Sequence, residues 1–361
     1  MKRILVVIKS DGIGGVERWV SGLLNTCEQR RVNCDLVALA ASPVSEGLLA
    51  NRRVHVLGSS VPSSPLRRIH QLIQLRSLLN RNDYDAVLAF GPSPNALASL
   101  ARGRRTLTVI CENGNPFVSH RRLWNAAMMW TYRRADALLV LTQRLADDLQ
   151  ARGTVPRTVS VAHPMLSTAV PLIPPSVPRS PTIVTVGRLV PSKRVGDLVS
   201  AFASIADRFS DWSLTIVGDG RERRALQGDV AARGLDNRVT FTGFVQEPWH
   251  QVATASIFVL CSAYEGFGNV LIEAVASGCA LISSDCRYGP REILKDGELG
   301  LLYPVGDVAR LRDCLVRLMD DPTGRQNFAE RAFASVGQYR ADPSEDPWIE
   351  RLTSLAEGRR D

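Results

Sequence analysis

Nowhere does the 361-residue chain hold an apolar run of the roughly 18 residues that a spanning helix needs, so a helical membrane protein is excluded. The opening Met1–Asp11 puts two basic residues before an apolar stretch, as a secretion signal does. That stretch is only Ile4–Ile8, with Lys9 and Asp11 at once behind it, so it reads as a first β-strand and a cytoplasmic location is expected. Cysteines number seven and none forms a C-x-x-C pair, so metal and disulfide frameworks give way to reduced, mostly buried thiols. The five histidines (His55, His70, His120, His163 and His250) are scattered, which leaves little for imidazole acid–base chemistry. The lone D-x-D, Asp83-Tyr84-Asp85, precedes a strand at its amino end and reads as structural; no metal and no cofactor are expected.

What is present is a globular composition, 45% hydrophobic and 22% charged, on a length suited to two domains of roughly 150–180 residues each. Charge is unevenly spread. Residues 1–175 carry 22 Lys and Arg against 11 Asp and Glu, and residues 176–361 carry 22 against 25. Because only four of the 44 basic residues are lysine, base composition accounts for many of the arginines, but not for this asymmetry. A basic first half points to an anionic partner there.

Short β-branched runs alternate with helical periodicity throughout, the signature of βαβ units and a doubly wound parallel sheet. Strands are expected at 3–8, 35–40, 54–57, 86–90, 106–111, 137–141 and 158–162, then at 182–187, 213–217, 239–241, 257–261 and 280–283. Helices are expected at 16–30, 66–81, 121–134, 143–152, 194–209, 221–234, 269–278, 308–319 and 323–336, with a last one after Pro347. Six of the 20 prolines fall from Pro164 to Pro181. The expected division is therefore 1–163, a linker at 164–181, a second α/β domain at 182–340, and a closing segment at 341–361.

Four segments carry chemistry. The densest is Ser262-Ala263-Tyr264-Glu265-Gly266-Phe267-Gly268-Asn269-Val270-Leu271-Ile272-Glu273-Ala274. A strand ends before it, a glycine turn follows and a helix opens near Asn269, so exposed amide N–H groups make a site suited to a diphosphate. Glu273 could reach a ribose over the helix start while Glu265 reaches deeper; the plainer reading makes them a dipole-complementing glutamate and a turn residue. Gly187-Arg188-Leu189-Val190-Pro191-Ser192-Lys193 closes the second domain's first strand, where switch-point geometry puts ligands. Arg188 and Lys193 could supply positive charge to a leaving diphosphate, or be two solvated loop residues. Val217-Gly218-Asp219-Gly220 is a weaker strand-and-turn signal. At the N-terminus, Asp11 is followed by glycines at 12, 14 and 15, not in G-x-G-x-x-G spacing, which disfavours a dinucleotide.

In this order these segments, with Cys286–Leu294, resemble glycosyltransferase family 4, retaining enzymes of GT-B fold that include bacterial polysaccharide and lipid-linked glycan transferases. The resemblance implies two Rossmann-like domains facing across a cleft, and roles by residue. Arg188, Lys193 and Glu265 would act at the reacting centre, the cations on the diphosphate and Glu265 on sugar hydroxyls. Gly187, Gly218, Gly266 and the backbone of Phe267, Gly268, Asn269 and Val270 would line the donor site. Glu273 would bind the ribose, Gly14 and Gly15 would border the phosphates, and the nucleobase would lie near Phe244. Asp11, Glu112 and Asn113 would face the acceptor. Asn113 stands where members often carry histidine; asparagine can hydrogen-bond a sugar hydroxyl but cannot titrate.

The expected reaction moves a hexose or N-acetylhexosamine from a nucleotide sugar, UDP preferred, to a glycan acceptor, polyprenyl-diphosphate-linked, in cell-surface polysaccharide synthesis. Segments 66–73 and 121–134 mix arginine with large apolar groups, which suits peripheral contact with an anionic membrane on its cytoplasmic face; helices packed on their own sheet are the alternative. Rival readings are an inverting transferase with Asp11 or Glu112 as base, a sugar-nucleotide epimerase, and a basic scaffold. No nucleic acid is expected, since no recognition-helix or aromatic-interleaved motif is present.

Overall fold

The computed structural model describes residues 3–9, 15–39, 54–58, 65–103, 105–117, 122–153, 155–156, 158–166, 170–340 and 347–357. The chain divides into two compact units, Met1–Ser167 with Ala341–Asp361, and Thr168–Arg340.

In the first unit seven strands, β1 (Arg3–Ile8), β2 (Asn33–Ala38), β3 (Val54–Val56), β4 (Ala86–Phe90), β5 (Leu107–Glu112), β6 (Ala137–Val140) and β7 (Thr158–Val161), form one sheet. Every pairing is parallel and the order is β3-β2-β1-β4-β5-β6-β7. The run Ala86–Phe90 is buried at every residue, as a strand covered on both faces requires. The helices are α1 (Gly15–Gln29), α2 (Pro65–Arg81), α3 (Pro92–Ala101), α4 (Arg122–Tyr132) and α5 (Gln143–Ala151).

In the second unit β8 (Ser180–Val186), β9 (Ser213–Val217), β10 (Val239–Gly243), β11 (Ala255–Leu260), β12 (Ala280–Ser284) and β13 (Leu301–Tyr303) form an all-parallel sheet in the order β10-β9-β8-β11-β12-β13. Around it lie α6 (Val195–Ala203), α7 (Arg223–Ala232), α8 (Trp249–Thr254), α9 (Asn269–Ala276), α10 (Pro290–Ile293), α11 (Val308–Asp320) and α12 (Pro322–Ala334). A last helix, α13 (Pro347–Glu357), belongs to the first unit, where Leu352 is fully buried and Arg351 Nη2 donates to Ser160 Oγ at 2.7 Å. Both sheets change direction beside their first strand, at β1/β4 and β8/β11, the switch points at which ligands of such sheets bind.

Helix starts follow local chemistry. Thr142 caps α5 by accepting from Leu145 N–H at 3.2 Å, and Asp307 and Asp321 cap α11 and α12 in the same way. α3 is not among the expected helices, because Pro92 and Pro94 mimic a turn. Proline is tolerated in a first helical turn, where its missing N–H costs nothing, and Gly91 at φ 86° leads into it. β13 is three residues long, too short for a period to show.

The proline-rich stretch lies with the second unit over 170–179. Ile173 N–H donates to Ala276 O at 2.9 Å, and the Arg179 guanidinium donates to the carbonyls of Ala253, Ala255 and Ser277. Asp83-Tyr84-Asp85 sits at the amino end of β4. Asp85 accepts from Arg3 N–H at 2.9 Å, and Tyr84 O–H donates to Asp35 at 2.6 Å. All seven cysteines are free thiols, five of them buried.

Candidate donor site

The second sheet's switch point gathers three of the segments that the sequence singles out. β8 runs out at Val186 into Gly187 and Arg188, then into a single 3-10 turn at Pro191–Lys193. The neighbouring β11 runs out at Leu260 into Ser262–Gly268. These outgoing loops are joined by Ala263 N–H, which donates to Ser192 O at 2.8 Å. Across that joint Lys193 Nζ donates to Glu265 Oε1 at 2.5 Å, and Ser262 Oγ donates to the same oxygen at 2.6 Å. Both side chains are largely enclosed, 23% exposed for Lys193 and 13% for Glu265. Lys193 is therefore a paired cation here, where the sequence suggests free positive charge. Arg188 is exposed and has no ion-pair partner among the described residues.

Glycine makes this backbone packing possible. A Cβ on Gly218, at φ 134°, would stand 1.9 Å from Gly187 O, and Gly218 N–H donates to Gly243 O at 2.8 Å. The turns after β8, β9 and β10 thus lie backbone against backbone. Asp219 accepts from Gly220 N–H and from Arg223, and these two bonds hold its carboxyl below the usual range. Phe244, just beyond β10, is exposed.

α9 opens at Gly268, which is left-handed at φ 103° and offers no side chain to cap the first N–H groups. That leaves the positive end of the helix available to an anion. Asn269 Oδ1 is buried there with no hydrogen-bond partner among the described residues. Glu273 is the fifth residue of α9 and partly buried. Phe267 is core, 2% exposed, its ring edge-on to Tyr339 at 6.1 Å, so only its backbone faces the turn. Gly289, at φ 95°, lies so close that a Cβ on it would come within 1.6 Å of Phe267 O. Ser262 and Gly289 as supports of this turn were not evident from sequence; the sole hint is the glycine of Cys286–Leu294.

In the first unit the candidate residues are dispersed in character. Asp11 and Gly14 lie outside the described residues, and Gly15 opens α1. Glu112 ends β5 and is 1% exposed. Its Oε2 accepts from Tyr132 O–H at 2.8 Å and its Oε1 from Gly114 N–H at 3.3 Å. Burial raises this carboxyl to about 7, against the pull of those two bonds. Asn95 Nδ2 donates to Tyr132 Oη and to Cys111 O, tying α3, α4 and β5 together. Asn113 follows, its Oδ1 3.7 Å from where a Cβ on Gly91 would stand. Among the described residues no group of three or more His, Cys, Asp or Glu is placed to hold a metal ion, and no helix is long and apolar enough to cross a membrane.

Two family descriptions between them account for nearly the whole chain, "Glycosyl transferases group 1" over residues 173–335 and "Glycosyltransferase Family 4" over residues 13–170. The chain belongs to these glycosyltransferases. This glycosyltransferase is 28% identical over 308 residues to a lipopolysaccharide 1,6-galactosyltransferase of Salmonella typhimurium, covering 82% of this chain and 84% of that one. It is 26% identical to a diphospho-undecaprenol N-acetylgalactosaminyltransferase of Campylobacter jejuni, over 92% and 94% of the two chains. An exopolysaccharide phosphotransferase of Streptomyces coelicolor is 35% identical over 232 residues, but the match spans only 24% of that protein's length. The fold is that of the lipopolysaccharide outer core galactosyltransferase WaaB (TM-score 0.78, 22% identity, all of both chains). It is also that of Anabaena HepE in complex with UDP and glucose (TM-score 0.83, 18% identity, 98% of this chain and 100% of that one). The enzyme is thus a hexosyl-transferring glycosyltransferase of GT-B fold.

Proposed function

We propose that this glycosyltransferase moves a hexose or N-acetylhexosamine, with retention of anomeric configuration, from a UDP-sugar to a polyprenyl-diphosphate-linked glycan in cell-surface polysaccharide synthesis. The observation that carries the reading is the meeting of Lys193, Glu265 and the uncapped start of α9 at the switch point of the second sheet. Two cations, Arg188 and Lys193, together with the amides of Phe267–Val270, would hold the diphosphate. Glu265 and Glu273 would take hydroxyls of the transferred sugar and of the ribose, and Asn269 Oδ1 is a buried acceptor in need of a donor such as a sugar O–H. Gly187, Gly218 and Gly266 leave room for the ligand, and Phe244 offers a face to the base.

The chemistry asked of the protein is positioning and charge stabilisation. The acceptor hydroxyl attacks the anomeric carbon on the face that the diphosphate leaves, and the departing phosphate oxygen takes the hydroxyl proton. Arg188, Lys193 and the helix start stabilise the charge as it separates. No metal ion enters this scheme. The lipid-linked acceptor is supported by the undecaprenol-linked substrate in the Campylobacter relative's name. The UDP donor is supported by the ligand of the HepE structure. Peripheral contact with an anionic membrane belongs to the same reading.

Calorimetric titration with a panel of UDP- and GDP-sugars, followed by NMR of the product's anomeric carbon, tests it. Binding of a UDP-sugar and retained configuration are expected; inverted configuration would instead require a general base.

A further inference from the structure

Helix α2 has a buried side and a side that no described residue of its own unit covers. Gln71, Leu75 and Leu79 face inward, with Gln71 Nε2 donating to Leu39 O at 2.9 Å and Leu57 O at 3.1 Å. On the other side Leu66, Ile69 and Ile73 are 68%, 56% and 61% exposed. A single exposed isoleucine is ordinary, but three at helical spacing form one stripe whose burial would release apolar area from water. Arg76 and Asn80 continue the same face and are also exposed.

Charge narrows what could cover the stripe. The helix holds Arg67, Arg68, Arg76, Arg81 and His70 and no acidic residue at all. Pairing α2 with α2 of a second copy would set like charges against each other. An anionic bilayer surface satisfies both features, taking apolar side chains at headgroup depth and offering phosphates to the arginines.

Position gives the surface a purpose. α2 follows β3 and leads to β4 in a parallel sheet, so it runs opposite to the strands. Leu66 and Ile69 therefore lie toward the edge where β1, β4 and β5 end and where Glu112 and Asn113 stand. Trp130, near the end of α4, lies by the same argument toward the far edge, where the guanidinium of Arg134 covers its ring at 5.1 Å. We propose that α2 is a membrane-docking helix, with Leu66, Ile69 and Ile73 entering the headgroup layer of an anionic leaflet and the exposed Arg76 and Arg81 flanking them. The proposal rests on a lipid-linked acceptor, which such docking would present to the acceptor-side edge of the first sheet.

Cosedimentation of the full chain with phosphatidylcholine vesicles, with and without phosphatidylglycerol, tests it at low salt. Leu66→Gln/Ile69→Gln/Ile73→Gln keeps helix-forming residues at exposed positions, and circular dichroism checks that it folds. Binding to anionic vesicles is expected to weaken about tenfold or more in that variant and in Arg76→Gln/Arg81→Gln, and to hold in Trp130→Ser. Undiminished binding of the triple variant, equal binding to neutral vesicles, or a wild-type dimer that the triple variant turns into monomer would overturn it. Transfer to a short, water-soluble polyprenyl-diphosphate glycan, measured alongside, tests the acceptor reading separately. That reading fails if no sugar is transferred, and docking fails on the vesicle result alone.

Discussion

Lys193 and Glu265 are 72 residues apart in the chain and meet at 2.5 Å, Nζ to Oε1, beyond the carboxyl ends of two adjacent strands. The pair is shielded and Ser262 shares the carboxylate, so the lysine's charge is balanced. On the proposed reading a diphosphate would draw Nζ away, freeing Glu265 to accept from sugar hydroxyls. One exchange of partners would thus ready both residues.

Lys193→Ala is accordingly expected to lower kcat by about 10²–10³-fold, the scale seen when one charge-stabilising group is removed. Its unfolding midpoint should move by only a few degrees, since Ser262 still satisfies Glu265. Steady-state kinetics with calorimetry checks this, and unaltered kinetics would remove Lys193 from the site.

Two glycine substitutions separate steric contact from backbone strain. Gly234 has φ 68° and open space around it, so Gly234→Ala should cost about 1 kcal/mol from conformation alone. Gly289→Ala would drive a Cβ into Phe267 O and displace the turn before α9. A larger loss of stability is expected, and weakened UDP binding with it. Equal costs in denaturant titration would show that the contact yields freely.

Glu112 makes stability depend on pH. Its ordinary value is 4.5 and burial raises it to about 7 in the folded chain. The folded state therefore holds the proton more tightly. The resulting stability is fully present below pH 4.5 and is lost as pH rises through about 7, on the order of 3 kcal/mol over that window. Glu112→Gln mimics the neutral form and keeps an acceptor for Gly114 N–H. Its unfolding midpoint should match wild type near about pH 4 and exceed it near about pH 8. Parallel midpoint curves for the two proteins would refute this.

Transfer activity is expected to survive excess chelator, and Asp83→Asn should leave kcat unchanged. Asp85→Asn is expected to destabilise the chain, because Asp85 accepts from Arg3 N–H across the amino ends of β1 and β4. Loss of turnover in chelator, restored by a divalent cation, would require another account of the leaving phosphate.

Strands were legible wherever both faces are covered. Arg3–Ile8, Ala86–Phe90 and Ser213–Val217 are continuous apolar or β-branched runs, and their bounds can be read from the sequence to the residue. The glycine turns were legible too, since Gly218 and Gly268 hold conformations that other residues resist. α3 was not, because two prolines in its first turn imitate a loop, and neither was the three-residue β13. Within the site, residue types showed in the sequence but partnerships did not. Nothing local to Lys193 foretells Glu265, and nothing in Gly289 names Phe267. Such contacts come from strand order, which brings β8 beside β11 although 68 residues separate their ends.

The helix that buries Leu352 against the first unit is made after the whole of the second. As the chain leaves the ribosome, its opening sheet must therefore wait, with that pocket unfilled, until roughly 170 further residues have been added. Removing the last helix should consequently harm the first unit and spare the second, despite the second being its nearer neighbour in sequence.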